Sequence, residues 1–398
     1  MILRSSESLV QLFQKYLSGS AEFRFLFRHF KLVMTCCSFL FSQKKTASPA
    51  EHRIDIDEEV SGIQNTRLFP YKELKMATGN FNYSNKIGEG GFGIVYKGTF
   101  RDGTVAAIKV LSSDSRQGVR EFLTEINVIA DIENENLVKL HGCCVEGDHR
   151  ILVYGYLENN SLAQTLLGGD HSSMQFSWPT RRKICIGVAK GLAFLHEEVR
   201  PCIVHRDIKA SNILLDRNLM PKISDFGLAK LFPDNMTHIS TRVAGTTFGV
   251  LLLEIVSGRC NTNRRLPLSD QYLLERAWEL YERRQLAELV DVSMSGDYDD
   301  EEAQKFLKIG LLCTQDMPKQ RPSMSKVVKM LTGEDPLDDR NISRPGLLSE
   351  FMNLRAHKEK SDMITGSTSK EGNASSSSEN LTMSYATMTF NSMYDRSN

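Results

Sequence analysis

The spacing of apolar positions changes several times along the chain, and each change marks an element. Val105-Ala106-Ala107-Ile108-Lys109-Val110 follows the turn signal Asp102-Gly103 and predicts a strand. From Arg120 to Ala130, Phe122, Ile126 and Ile129 recur at helical spacing, with Glu125 on the same face. Leu137–Leu140 and Ile151–Tyr154 predict two more strands, and Ile184, Val188, Leu192 and Leu195 predict a long core helix. Further helices are predicted over Tyr272–Leu289, with Trp278 on the apolar face, around Phe306, Ile309, Gly310 and Cys313, and around Val327, Val328 and Leu331. Upstream, Phe69 to Phe81 predicts a short helix with a turn at Gly79-Asn80.

The flanks follow other patterns. Residues 1–47 carry seven Lys/Arg (Arg4, Lys15, Arg24, Arg28, Lys31, Lys44, Lys45) against Glu7 and Glu22. Their longest apolar run, Leu32 to Phe41, is about half of the ~20 residues a spanning helix needs. It also sits too far from the N-terminus for a secretory signal. Two readings stay open: a peripheral membrane anchor with Cys36-Cys37 available for palmitoylation, or a disordered leader ahead of a start at Met34. An organellar presequence is a third. Residues 48–66 hold five acids between Glu51 and Glu59 and read as a solvated linker. Residues 334–398, with ten Ser and five Thr after Lys360, read as a disordered tail.

Composition adds bounds. The chain has 398 residues, 41% of them hydrophobic, which is enough for a sizeable core. Lys+Arg and Asp+Glu balance at 49 each, so overall charge gives no reason to expect nucleic-acid binding. The eight cysteines form no CxxC pair, and reduced structural thiols in a cytoplasmic setting are expected.

Candidate chemistry gathers between Ile203 and Gly227. Asp207 and Asp225 sit in apolar surroundings, and Asn212 lies five residues after Asp207. Ile213-Leu214-Leu215 and Lys222-Ile223-Ser224 read as short strands presenting polar groups at their ends. Upstream, Ile87-Gly88-Glu89-Gly90-Gly91-Phe92-Gly93 precedes Ile94-Val95-Tyr96, which are β-formers. The glycines therefore belong at a hairpin tip, where backbone can approach phosphates, and not at the start of a dinucleotide-site helix. Lys109 is a lone cation in an apolar strand and needs a buried partner. Glu125, on the inward face of the next helix, is the expected one.

Together, the glycine-rich turn, Lys109, Glu125, His205-Arg206-Asp207 with Asn212, and Asp225-Phe226-Gly227 closely resemble the eukaryotic protein kinases. The lead-in Phe69-Pro70-Tyr71-Lys72-Glu73-Leu74 is similar to that of plant receptor-like serine/threonine kinases, and with no ectodomain or spanning helix expected the chain resembles their receptor-like cytoplasmic class. The resemblance implies an α+β bilobal fold, with a small β-rich N-lobe (67–153) carrying one helix, a hinge (154–157) and a larger helical C-lobe (158–333). It implies ATP and Mg²⁺, protein substrates, and receptor kinases as further partners, at a cytoplasmic or plasma-membrane location. Asp207 would take the proton of a substrate hydroxyl, and Lys209 would stabilise the transferred phosphoryl group. Asn212 and Asp225 would hold metal. Ile87, Val95, Ala107, Tyr156 and Leu214 would bind the nucleotide, with Tyr156 beside the adenine and Ala107 and Leu214 as its sandwich. Arg206 beside Asp207 implies control by activation-segment phosphorylation, with Thr237, Ser240, Thr241, Thr246 and Thr247 as candidates.

The pattern departs from the family after Thr247. Where relatives continue with Gly-Tyr-x-Ala-Pro-Glu and a further helix, this chain runs straight into Phe248-Gly249-Val250-Leu251. The C-lobe is therefore expected to be incomplete, with Leu228–Thr247 stretched to reach the next helix and Arg321 left without its family partner. An ATP-binding pseudokinase or scaffold is the alternative expectation.

Overall fold

The computed structural model describes residues 66–90, 93–111, 116–168, 176–232, 237–294 and 298–346. The expectations for the leader, the acidic linker, most of the tail, Gly91 and Phe92 fall outside these residues.

Five strands form the first half: β1 (Lys86–Gly90), β2 (Gly93–Thr99), β3 (Val105–Leu111), β4 (Leu140–Glu146) and β5 (His149–Gly155). They form one antiparallel sheet in the order β1-β2-β3-β5-β4. α1 (Tyr71–Ala77) covers one side, and Phe69, Leu74, Ile108, Ile151 and Val153 pack into a core there. The outer edge of β4 is paired as well. The Phe69 amide donates to the Cys143 carbonyl at 2.8 Å, and the Cys143 amide donates to the Arg67 carbonyl at 3.0 Å. A Cβ at Gly142 would lie 2.0 Å from that Arg67 oxygen, so the approach needs a glycine.

α2 (Arg116–Ile129) packs against β3 and β5, with Phe122, Ile126 and Ile129 buried as their spacing predicts. Leu137 does not open a strand of this sheet. The Val138 amide donates to the Ile223 carbonyl at 2.9 Å, and the Ile223 amide donates to the Asn136 carbonyl at 2.8 Å. The segment thus spends its hydrogen bonds on the second half, and β4 starts only at Leu140.

The second half is helical. Beyond α3 (Leu162–Thr165), α4 (Trp178–Ala193) buries Ile184, Val188 and Leu192. Two small two-stranded antiparallel sheets follow, β6 (Cys202–Val204) with β9 (Lys230–Phe232) and β7 (Ile213–Leu215) with β8 (Pro221–Ile223). Then come α5 (Thr237–Ser257), α6 (Leu273–Glu282), α7 (Asp300–Thr314) and α8 (Met324–Thr332). α6 is shorter than its pattern predicted, and Leu286–Leu289 forms a separate 3₁₀ turn. Leu273, Leu274, Ala277 and Leu280 are its buried face, while Trp278 is only half-buried. Among the described residues, no helix is long and apolar enough to cross a membrane.

α5 corrects the expectation of a stretched connection. The backbone stays helical from Thr237 through the Thr247–Phe248 junction to Ser257. A continuous helix satisfies its own amides, and Phe248, Leu251, Leu252, Ile255 and Val256 bury their side chains. Arg321 is corrected too. Its guanidinium donates to the carbonyls of Gln315 and Asp316 and to the Thr246 hydroxyl. Buried Arg181 performs a similar task at the other end of α5, donating to the Ile255 carbonyl at 2.9 Å and to Asp291.

α5 and α7 touch at glycines. A Cβ on Gly249 would meet the Gly310 carbonyl oxygen at 2.6 Å and the Cys313 Cβ at 2.9 Å. Gly249→Ala should therefore destabilise the chain by ~1–3 kcal/mol through overpacking. The check is a lower urea midpoint with an unchanged slope.

α5 also carries a buried acid, Glu254, which accepts from the Asn261 amide at 2.8 Å. Burial pushes its carboxyl from 4.5 up to about 7, although that amide pulls the other way. Between those values the folded chain keeps a proton that the unfolded chain has released, so stability falls as pH rises through this window. Glu254→Gln should remove the fall. Its advantage over the parent in thermal melts should grow by ~3 kcal/mol from about pH 4 to about pH 8.

Candidate active site

The candidate site lies where the two halves meet, on β2, β3, α2 and the segments beside the two small two-stranded sheets. β1 and β2 pair Gly88 with Val95, Glu89 with Ile94 and Gly90 with Gly93, so the glycines lie at a hairpin tip as their flanks predict. Glu89 forms an ion pair with Lys86. Along β3, Ala106 and Ile108 are buried, whereas Ala107 and Lys109 are partly open on the opposite face. Leu214 is likewise the partly open residue of β7, between buried Ile213 and Leu215. The chain leaves the sheet after Gly155, and Tyr156 and Leu157, both half-buried, follow it.

The predicted ion pair forms. Lys109 Nζ lies 3.1 Å from Glu125 Oε2 and 2.8 Å from Asp225 Oδ1. Burial opposes the lysine's charge, but the two carboxylates outweigh it and raise its pKa above the ordinary value. Burial also works against Asp225, and the Lys109 ammonium more than compensates, lowering its pKa. Glu125 Oε1 accepts the Phe226 amide at 3.3 Å. One carboxylate on α2 therefore holds both the strand lysine and the backbone just after Asp225. Buried Tyr154 lines the same wall, and desolvation beside Glu125 keeps its phenol well above the usual range.

The second group is centred on Asp207. Lys209 Nζ donates to Asp207 Oδ2 at 2.7 Å, and Asn212 Nδ2 donates to the same oxygen at 3.0 Å and to the Asp207 carbonyl at 2.9 Å. The Asn212 carbonyl accepts from the Ser224 amide at 2.9 Å, which links this group to the residue before Asp225. Asn212 and Asp225 offer oxygen donors only, the donor chemistry of a hard cation such as Mg²⁺.

Sequence reasoning missed the brace beneath these groups. His205 is fully buried, and its ring meets Phe226 edge-on at 4.7 Å. Its Nδ1 accepts from the Asp207 amide at 3.3 Å, so Nε2 carries the proton and donates it to the Ser224 carbonyl at 3.0 Å. Burial lowers its pKa, and the neutral ring this bonding requires is the favoured form. The available signal was a histidine directly after apolar Ile203-Val204. Arg206 and Asp225 both have positive φ, 70° and 66°, a conformation uncommon outside glycine that gathers at functional sites.

Removing one member of a buried ion pair costs ~3–5 kcal/mol. Since Asp225 still faces Lys109, Glu125→Ala should fall near the lower end, ~3 kcal/mol. Urea unfolding without nucleotide would measure it, with Glu125→Gln closer to the parent.

Comparison with known proteins agrees with this geometry. The protein kinase domain family matches residues 81–249. A cold-responsive protein kinase 1 from Arabidopsis thaliana is 61% identical over 342 residues, covering 80% of this chain and 86% of that protein. Two probable LRR receptor-like serine/threonine-protein kinases from the same plant are 48% and 50% identical over 354 and 325 residues. Those alignments cover 82% and 76% of this chain but only 34% and 32% of the receptors, so the chain spans about a third of their length.

Proposed function

The chain belongs to the protein kinase family and is a plant serine/threonine protein kinase, and on that premise we propose how the cleft divides the work. Kinases of this family transfer a phosphoryl group from ATP to a protein with the help of a divalent metal.

In this reading Asp207 accepts the proton of a substrate Ser or Thr hydroxyl as that oxygen bonds to the γ-phosphorus and the bond to the departing ADP oxygen breaks. Lys209, already on Asp207, stabilises charge on the phosphoryl group in transit. Lys109 neutralises the α- and β-phosphates, and Glu125 holds it there. Residues 88–93 cover the phosphates. Ile87, Val95, Ala107, Tyr156 and Leu214 surround the base. Asn212 and Asp225 would hold Mg²⁺, which screens the phosphate oxygens when bound. Transfer of this kind depends on positioning and preorganised charge, and little covalent chemistry falls to the protein.

The observation that carries the reading is the convergence on Lys109 of Glu125 at 3.1 Å and Asp225 at 2.8 Å, from three separate elements. A membrane-proximal signalling role, with acylation at Cys36 and Cys37 and receptor kinases as partners, belongs to the same proposal. Its support is the basic leader and the receptor-like kinases among the relatives. Nothing in the family match or the relatives favours the scaffold alternative over this reading.

Asp207→Asn should cut phosphate transfer to a Ser/Thr substrate by ~10²–10⁴-fold. The nucleotide-induced rise in melting temperature should be kept. Transfer that survives the substitution would remove Asp207 from this role. A nucleotide-stabilised parent without Asp207-dependent transfer would favour the scaffold.

A further inference from the structure

The sheet register gives Lys97 a place in the cleft. β2 and β3 pair Val95 with Lys109 and Lys97 with Ala107. Directly opposed residues share a face of a sheet. Lys109 reaches Glu125 and Asp225 from that face, so Lys97 and Ala107 lie on the cleft side. Lys97 pairs with no carboxylate among the described residues. Its ammonium instead lies 4.7 Å from the centroid of the Tyr156 ring, within range of a cation–π attraction.

Tyr156 comes directly after β5, where the chain passes from one half to the other. The contact therefore ties β2, the strand that descends from the glycine turn, to the connecting segment. It does so across Ala107, which itself pairs with Tyr154 on β5. Ala107 and Tyr156 are two residues of the expected base slot.

The geometry points to Lys97 and Tyr156 as a latch at the outer edge of that slot, a positioning pair that sets nucleotide affinity. It rests on the reading of Ala107 and Leu214 as the slot's walls. The latch holds the sheet to the connecting segment before nucleotide arrives, so less ordering is left for binding to do. Lys97 lies neither among the groups around Asp207 nor among the residues that surround the base, so its loss acts on nucleotide binding through Tyr156 and leaves transfer unchanged.

The test uses the full chain and four variants, with ATP titrated at a fixed protein substrate. Lys97→Ala should raise KM for ATP by ~2–5-fold, the scale of an exposed cation–π contact, with kcat unchanged. Lys97→Arg, which keeps a cation over the ring, should restore KM. Tyr156→Ala, which removes a residue of the base slot as well as the contact, should raise KM at least as much, and adding Lys97→Ala to it should raise KM no further. An unchanged KM in Lys97→Ala, a Lys97→Arg that fails to restore it, or additive losses would each overturn the latch. A fall in kcat with KM constant would overturn it also. A parent whose melting temperature does not respond to ATP·Mg²⁺ would overturn the nucleotide reading, and the latch with it. A responding parent with an indifferent Lys97→Ala overturns the latch alone.

Discussion

A buried ammonium is the constraint from which the cleft is built. Lys109 sits in the middle of a strand whose neighbours are apolar, and a cation there is tolerable only if anions come to it. One comes from α2 and the other from the turn after β8. Since α2 belongs to the sheet half and Asp225 to the helical half, the lysine's electrostatic need is also what registers the two halves. Glu125 extends this by accepting the Phe226 amide, so the segment carrying Asp225 is fixed by backbone as well as by charge.

The Asp207 group is fixed differently, by a neutral hydrogen-bonded scaffold. Buried His205 spans the Asp207 amide and the Ser224 carbonyl, while Asn212 meets Asp207 with its side chain and Ser224 with its carbonyl. Two residues in left-handed conformation, Arg206 and Asp225, complete the bends. Such strain persists only where the surroundings over-determine it, and here it falls at Asp225 and beside Asp207, the two acids the sequence singles out.

Much of this was legible in the sequence where polarity contradicts its surroundings. Lys109 among β-formers and Glu125 on an apolar helix face demanded each other, and the hairpin that joins β1 to β2 followed from β-formers directly after the glycines. Less legible were features that depend on distant backbone. Val138 pairs with Ile223 instead of a sheet strand, and nothing local announces that choice. The run from Thr237 to Thr247 resembles a family loop, yet it joins an apolar helix whose buried face lies downstream. Arg321 was expected to be stranded because the resemblance supplied only one partner, whereas carbonyls and a threonine hydroxyl can also accept from a guanidinium. The base-slot walls rest on alternation along β3 and β7, a pattern in which Lys97, exposed on β2, gave no signal at all.

The short pairing of Arg67 and Phe69 with Cys143 has a mechanical meaning. These residues close the exposed edge of β4, and β4 is bonded along its length to β5, which ends at Gly155. Arg67 and Phe69 are thereby spliced into the sheet, not hung from it. A pull on them loads the hydrogen bonds at Cys143 first. Through β4 and β5, the load passes to the segment at Tyr156, where the two halves meet. The pairing at Cys143 and the segment at Tyr156 are separated by only two strands, which makes the sheet a stiff link between them.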